Sequence, residues 1–267
     1  MTIIKAIILG IIQGLTEFLP VSSSGHLVIF QNLLNFQEPG IVFEVIVHLG
    51  TMLAVVIYFR KDIGNLISSI FIWNQDRSDN IRFYQHLLFY LLLATIVTAI
   101  LGFAFKNILE SFFENILLVG FMLIITGLLL FISDKIVEKG KDITIFRALL
   151  IGFIQFIAII PGISRSGSTI SVGIFSGLNR DLSARFSFLL SIPAIFGAGI
   201  LELKDIPQQT LSQSSLIPYL VSGLSAMVVG YLSISIFLKL IRQAKLFYFS
   251  VYCWIIAVFT IAYVIIL

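Results

Sequence analysis

The chain has 267 residues, of which 58% are hydrophobic and 12% charged, with a mean hydropathy of +1.06. So few charges cannot give a soluble globule a polar surface, which leaves an integral membrane protein. The formal net charge of +3 is small and its cations are spread over connecting segments, so nucleic acid is not an expected partner; the single Cys253 excludes an internal disulfide and a cysteine-based metal cluster.

Taken in order, the apolar stretches 2–19 and 24–36 are separated by a Pro and Ser turn, and most such pieces are too short to cross a bilayer. Residues 2–36 therefore read as a re-entrant helical hairpin. No small-residue cleavage site precedes Gln13, so a removed signal peptide is not expected. Segment 41–59 is long enough to span but carries Glu44 and His48, whereas 85–105 and 115–132 are apolar throughout. The order then repeats. Stretches 147–160 and 168–178 flank a second Pro, Ser and Gly turn and make a hairpin of 147–178; spans follow at 186–203, which holds Pro193 and Glu202, at 217–238 and at 247–267.

The repetition extends to single residues. At one constant offset Gly10 matches Gly152, Gln13 matches Gln155, and Ser22, Ser24 and Gly25 match Ser164, Ser166 and Gly167. Arg60 to Ile63 recurs as Leu203 to Ile206, one residue out of register. We read a duplicated unit, 1–146 and 147–267, within one membrane domain. Each half is one hairpin followed by three spans, and an odd number of crossings turns the second half over, giving an inverted repeat. Every Lys and Arg falls in 60–84, 133–147, 179–185 or 239–246, except Lys5, Lys106, Lys204 and Arg165. The positive-inside rule then makes those four segments cytoplasmic and puts both termini outside, with the two hairpin tips meeting near the midplane.

Those tips hold the chemistry. Gln13 and Glu17 are one helical turn apart and share a face, and a carboxylate at membrane depth is a functional candidate. Each turn starts a new helix, with Ser22 or Ser23 and Ser164 suited to the N-cap. Two helix starts, with Gly25 and Gly167 allowing close backbone approach, suit a polyanion; Ser22, Ser24, Gly25, Ser164, Ser166, Gly167 and Thr169 are the candidate substrate-binding residues. Arg165 adds a planar fork for phosphate oxygens and equally fits an ion pair with Glu17. Oxygen ligands on Gln13 and Glu17 suit Mg²⁺ or Ca²⁺ shared with substrate phosphates. The attacking group is open between Ser23, His26 and water; Ser23 is preferred, with His26 three residues on as its base. His48 reads as a helix-packing hydrogen-bond donor, and His86 has no role.

QGLTE at 13–17, SSSGH at 22–26 and PGISRSGST at 161–169, in this order and this hydropathy, resemble the undecaprenyl-diphosphate phosphatase family of the bacitracin-resistance type. The resemblance covers nearly the whole chain. It implies an all-α integral membrane enzyme of the bacterial cell membrane that hydrolyses undecaprenyl diphosphate to undecaprenyl phosphate and inorganic phosphate. That reaction recycles the lipid carrier for peptidoglycan synthesis and gives bacitracin resistance. It further implies a divalent cation, with Gln13 and Glu17 in the first motif, Ser23 and His26 in the second, and Arg165 in the third. Expected partners are a polyprenyl diphosphate lipid and the bilayer, with a homodimer left open and the site facing outward. The other reading is an inverted-repeat transporter or flippase for a polyprenyl phosphate.

Overall fold

A computed structural model describes residues 2–34, 40–72, 79–113, 115–204 and 213–266. Asp205 and Ile206 of the out-of-register recurrence, and Leu267 at the end of the last span, lie outside them. The described residues form twelve α-helices and no strand.

The first hairpin is α1 (Ile3–Phe18) and α2 (Ser23–Leu33); the second is α8 (Ile145–Ile157) and α9 (Arg165–Phe175). At 1.5 Å per residue, the 16 residues of α1 reach about 24 Å, short of the ~30 Å hydrocarbon core, and the other three are shorter. Five helices are long and apolar enough to cross: α5 (Asp79–Ala104), α7 (Ile116–Lys135), α10 (Arg180–Lys204), α11 (Gln213–Arg242) and α12 (Leu246–Ile266). Helices α3 (Gly40–Tyr58) and α4 (Arg60–Phe71) meet at a bend of 76°, and the pair taken as one broken span makes a sixth crossing. The protein is thus an all-α, multi-pass integral membrane protein.

Helices α5, α7, α10 and α11 outrun the apolar windows because charged residues such as Asp79, Lys135, Arg180 and Arg242 extend them into the interface before the backbone ends. One larger difference falls in 60–84, read as a connecting segment. It contains α4, which buries Leu66 and Ser69 and exposes Ile67, Ile70 and Phe71. The charged first turn hid this amphipathic pattern, which suits a helix lying along the membrane surface. A short α6 (Lys106–Phe112) follows α5.

Each hairpin packs on a long helix of the opposite half: α1 against α11, and α8 against α5. Glycine permits both contacts. Gly10 lies against the Ser222 carbonyl and Gly152 against the Ala94 carbonyl, with no room at either for a Cβ. Without a hydrophobic drive between helices in lipid, such close approach is a main source of association. On the α5 side Thr98 Oγ1 donates to the Gly152 carbonyl at 2.9 Å, and Gln155 Nε2 donates to that hydroxyl at 3.2 Å. Helix α12 packs along α7, and α11 also packs on α3.

Candidate active site

The two hairpin tips meet. Ser22 caps α2, its Oγ accepting from the Gly25 N–H at 3.2 Å; Ser164 caps α9, its Oγ accepting from the Gly167 N–H at 3.0 Å. A Cβ on Gly25 would press on Gly162, 3.1 Å away, and one on Gly167 on Pro20, 3.2 Å away. Pro20 and Gly162 correspond at the offset that relates Gly25 to Gly167, so the two contacts are reciprocal. Ser22 Oγ also accepts from the Gly162 N–H at 3.1 Å, and Ser166 Oγ donates to the Leu19 carbonyl at 3.3 Å. From α7, Thr126 Oγ1 donates to the Gly162 carbonyl and accepts from the Ser164 N–H, pinning the second tip. Ser22 has φ of +69°, a costly backbone for a side chain that is not glycine, held by these bonds.

Where the tips join, four side chains converge on Glu17. Arg165 Nη2, from the first residue of α9, pairs with its Oε1. Ser23 Oγ, from the first residue of α2, donates to Oε2 at 2.5 Å, and Gln13 Nε2 donates to the same oxygen at 3.0 Å. His48 Nε2, from α3, stands 3.8 Å from Oε2. The Glu17 side chain is 5% exposed and that of Arg165 16%, so the pair is sheltered from water. Two polar atoms are left over: Gln13 Oε1 and Arg165 Nη1 are buried without a hydrogen-bond partner. An orphaned amide oxygen beside a carboxylate fits a cation, and an orphaned guanidinium nitrogen fits an anion.

His26 is placed otherwise than its spacing implied. Its Nδ1 lies 2.8 Å from the Ser22 carbonyl, which can only accept, so Nδ1 carries the proton. Nε2 is 2.9 Å from the Tyr252 hydroxyl of α12, and the rings stack 5.6 Å apart at 6°. Both nitrogens are thus engaged, and the hydroxyl of Ser23 is aimed at Glu17. The cause is local: the Ser22 carbonyl, one helical turn before His26, also accepts the His26 backbone N–H and so lies within reach of the imidazole, as the Glu44 carbonyl does for His48.

The remaining candidates support the tips. Ser24 Oγ lies 3.4 Å from Ser22 Oγ, and Ser166 Oγ 3.3 Å from Ser164 Oγ. Thr169 Oγ1 donates to the Arg165 carbonyl at 2.8 Å and meets Ser187 Oγ at 2.6 Å, which fixes the first turn of α9. His48 is what the sequence reading missed. Its Nδ1 does serve helix packing, 2.7 Å from the Glu44 carbonyl, but its other nitrogen faces the site. Two ionisable residues one turn apart inside an apolar span were the available signal. His86 packs beside Tyr90, on another part of α5.

Comparison with known proteins gives the same frame. Residues 6–259 match the model of the family described as bacitracin resistance protein BacA. The undecaprenyl-diphosphatase of Syntrophotalea carbinolica is 43% identical over 259 residues, covering 96% of both chains. Those of Halothermothrix orenii and Methanosphaera stadtmanae are 42% and 41% identical, covering 98% and 97% of each chain. With a family match across nearly its whole length, this chain belongs to the bacitracin resistance protein BacA family.

Proposed function

We propose that this protein is an undecaprenyl-diphosphatase in which Ser23 is the nucleophile and Glu17 its base. The observation that carries the reading is the Ser23 Oγ to Glu17 Oε2 hydrogen bond of 2.5 Å, at the start of a helix and beside a buried arginine. A lipid carrier needs no hydroxyl poised on a carboxylate; a hydrolase does.

Diphosphate entering between the tips competes with Glu17 for Arg165, whose free Nη1 and planar fork suit two phosphate oxygens. The N–H groups opening α2 and α9 add positive potential where charge spreads over the transferring phosphoryl group. Ser23 Oγ attacks the terminal phosphorus and its proton passes to Glu17. The bond from that phosphorus to the bridging oxygen breaks, and undecaprenyl phosphate leaves with the electron pair. Glu17 gives its proton to the departing oxygen, then takes one from the water that attacks the phosphoserine phosphorus and returns it to Ser23 Oγ as the Oγ–phosphorus bond breaks, releasing inorganic phosphate. His26 holds the Ser22 turn rather than moving the proton. Gln13 Oε1 and the Glu17 carboxylate are the residues that would hold a divalent cation, which supplies charge neutralisation of the phosphates when bound.

The reciprocal tip contacts support an inverted repeat of 1–146 and 147–267, and the Lys and Arg distribution supports a site open to the outer face of the bacterial membrane. The test is a single turnover with terminally labelled substrate, quenched and examined for protein-bound phosphate. Label on Ser23 supports the covalent route. Substantial turnover by Ser23→Ala with no phosphoprotein would replace it with direct attack by water.

A further inference from the structure

We infer that His48 is a nitrogen ligand to the cation bound at Glu17, and that it draws this site toward first-row transition-metal ions over Ca²⁺. The inference rests on the reading of Gln13 and Glu17 as a cation site given above. Three observations carry it. First, His48 Nδ1 sits 2.7 Å from the Glu44 carbonyl, an acceptor only, so Nδ1 bears the proton and Nε2 is free to present a lone pair. A histidine that ligates a metal through one nitrogen almost always donates its other N–H to a carbonyl or carboxylate in this way.

Second, Nε2 faces Glu17 Oε2 at 3.8 Å. That is too long for an N–H···O bond, which runs about 2.7–3.2 Å. Two ligand atoms each about 2.1 Å from one ion stand roughly 3.0–3.4 Å apart, so the gap has to close by less than about 1 Å for both to reach it. Third, Gln13 Oε1 is buried with no partner although the other end of its amide touches the same Oε2. One carboxylate, one amide and one imidazole from α1 and α3 make an incomplete shell. Among the described residues no group of three or more His, Cys, Asp and Glu is placed to hold a metal ion, so these side chains supply only part of a shell. Substrate phosphates and water are the natural remaining ligands, as at other phosphoryl-transfer sites. Imidazole is a poor partner for Ca²⁺ and suits Fe²⁺, Ni²⁺ and Zn²⁺ better than Mn²⁺, which gives the preference its direction and makes Mn²⁺ a paramagnetic probe of the site rather than its favoured ion.

The test uses the full chain in detergent and imidazole-free buffer, with Mn²⁺ alone as probe. Binding is measured by titration and the ligand atoms by pulsed electron paramagnetic resonance. Wild type should bind Mn²⁺ with modulation from a directly bound ¹⁴N. Glu17→Gln should abolish that binding. His48→Gln, checked for an unchanged melting profile, should keep Mn²⁺ binding roughly tenfold to a hundredfold weaker and lose the nitrogen signal. Its Ca²⁺ affinity should change far less. Glu17-dependent binding without nitrogen modulation, or modulation that survives in His48→Gln, would overturn the His48 assignment while leaving the oxygen site standing. Mn²⁺ binding indifferent to Glu17→Gln would overturn the cation site itself, and with it this inference.

Discussion

Glu17→Gln keeps the shape of the side chain and removes its charge, leaving Arg165 buried without a counter-ion. The two side chains are 5% and 16% exposed, so water replaces the missing partner only in part. Breaking a buried pair from one side costs about 3–5 kcal/mol, more than the loss of one hydrogen bond from Ser23 or Gln13 would explain. At about 2–4 °C per kcal/mol for a chain somewhat smaller than this one, melting in detergent should fall by roughly 6–20 °C. The double variant Glu17→Gln with Arg165→Met removes both charges and should regain most of that loss, while phosphate release from a prenyl diphosphate stays abolished. The assay is thermal unfolding followed by tryptophan fluorescence, with phosphate release measured on the same preparations. If Glu17→Gln melts within a few degrees of wild type, the pair is solvated and the site is not enclosed. If the double variant is no more stable than the single one, the destabilisation has another origin than the orphaned guanidinium.

Arg165→Lys keeps a charge against Glu17 but loses the planar fork, so turnover should fall about a hundredfold while melting changes little, measured by phosphate release and unfolding in parallel. Tyr252→Phe removes only the donor to His26 Nε2; it should cost about 1 kcal/mol and slow turnover a few-fold without moving the pH optimum, whereas a shifted optimum would return His26 to proton transfer. Ser23→Ala should lower turnover at least a thousandfold and leave no protein-bound label after a quenched turnover. Single cysteines at Lys139 and Ser111, both exposed, should react with an impermeant reagent from opposite sides of intact cells, while the fully buried Cys253 stays silent; labelling from the same side refutes the orientation.

The crossings and the broken hairpins were legible because lipid imposes length and hydropathy on one and backbone satisfaction on the other. The tip residues were legible because Glu17 and Arg165 are charges where the bilayer penalises charge. His26 shows where sequence spacing stops being informative. Three residues after Ser23 on a helix, it has the reach to take its proton. The Ser22 carbonyl and Tyr252, more than two hundred residues away, both compete for it and win. His48 was hidden for a similar reason: its bond to the Glu44 carbonyl is the packing role that spacing suggests, and the second nitrogen finds Glu17 only through the packing of α3 near α1.

The duplication explains why one carboxylate suffices. Ser23 and Arg165 occupy the same position in the two copies, the first residue of the helix after the turn, so the meeting of the tips sets a hydroxyl and a guanidinium against each other. On the proposed route two arginines there would leave no nucleophile, and two serines no fixed charge for the diphosphate. Glu17 has Ile159 as its counterpart, and this asymmetry is what lets a single carboxylate reach both groups. The glutamines follow suit: Gln155, with no acid one turn on, donates to Thr98 and fastens α8 to α5, while Gln13 at the matching position donates to Glu17. Shared positions therefore build the crossing, and the positions that differ bring Glu17, Ser23 and Arg165 together, the groups to which the proposed route assigns the reaction. Restoring the symmetry with Glu17→Ile should abolish phosphate release and, because it orphans Arg165, lower the melting temperature as Glu17→Gln does.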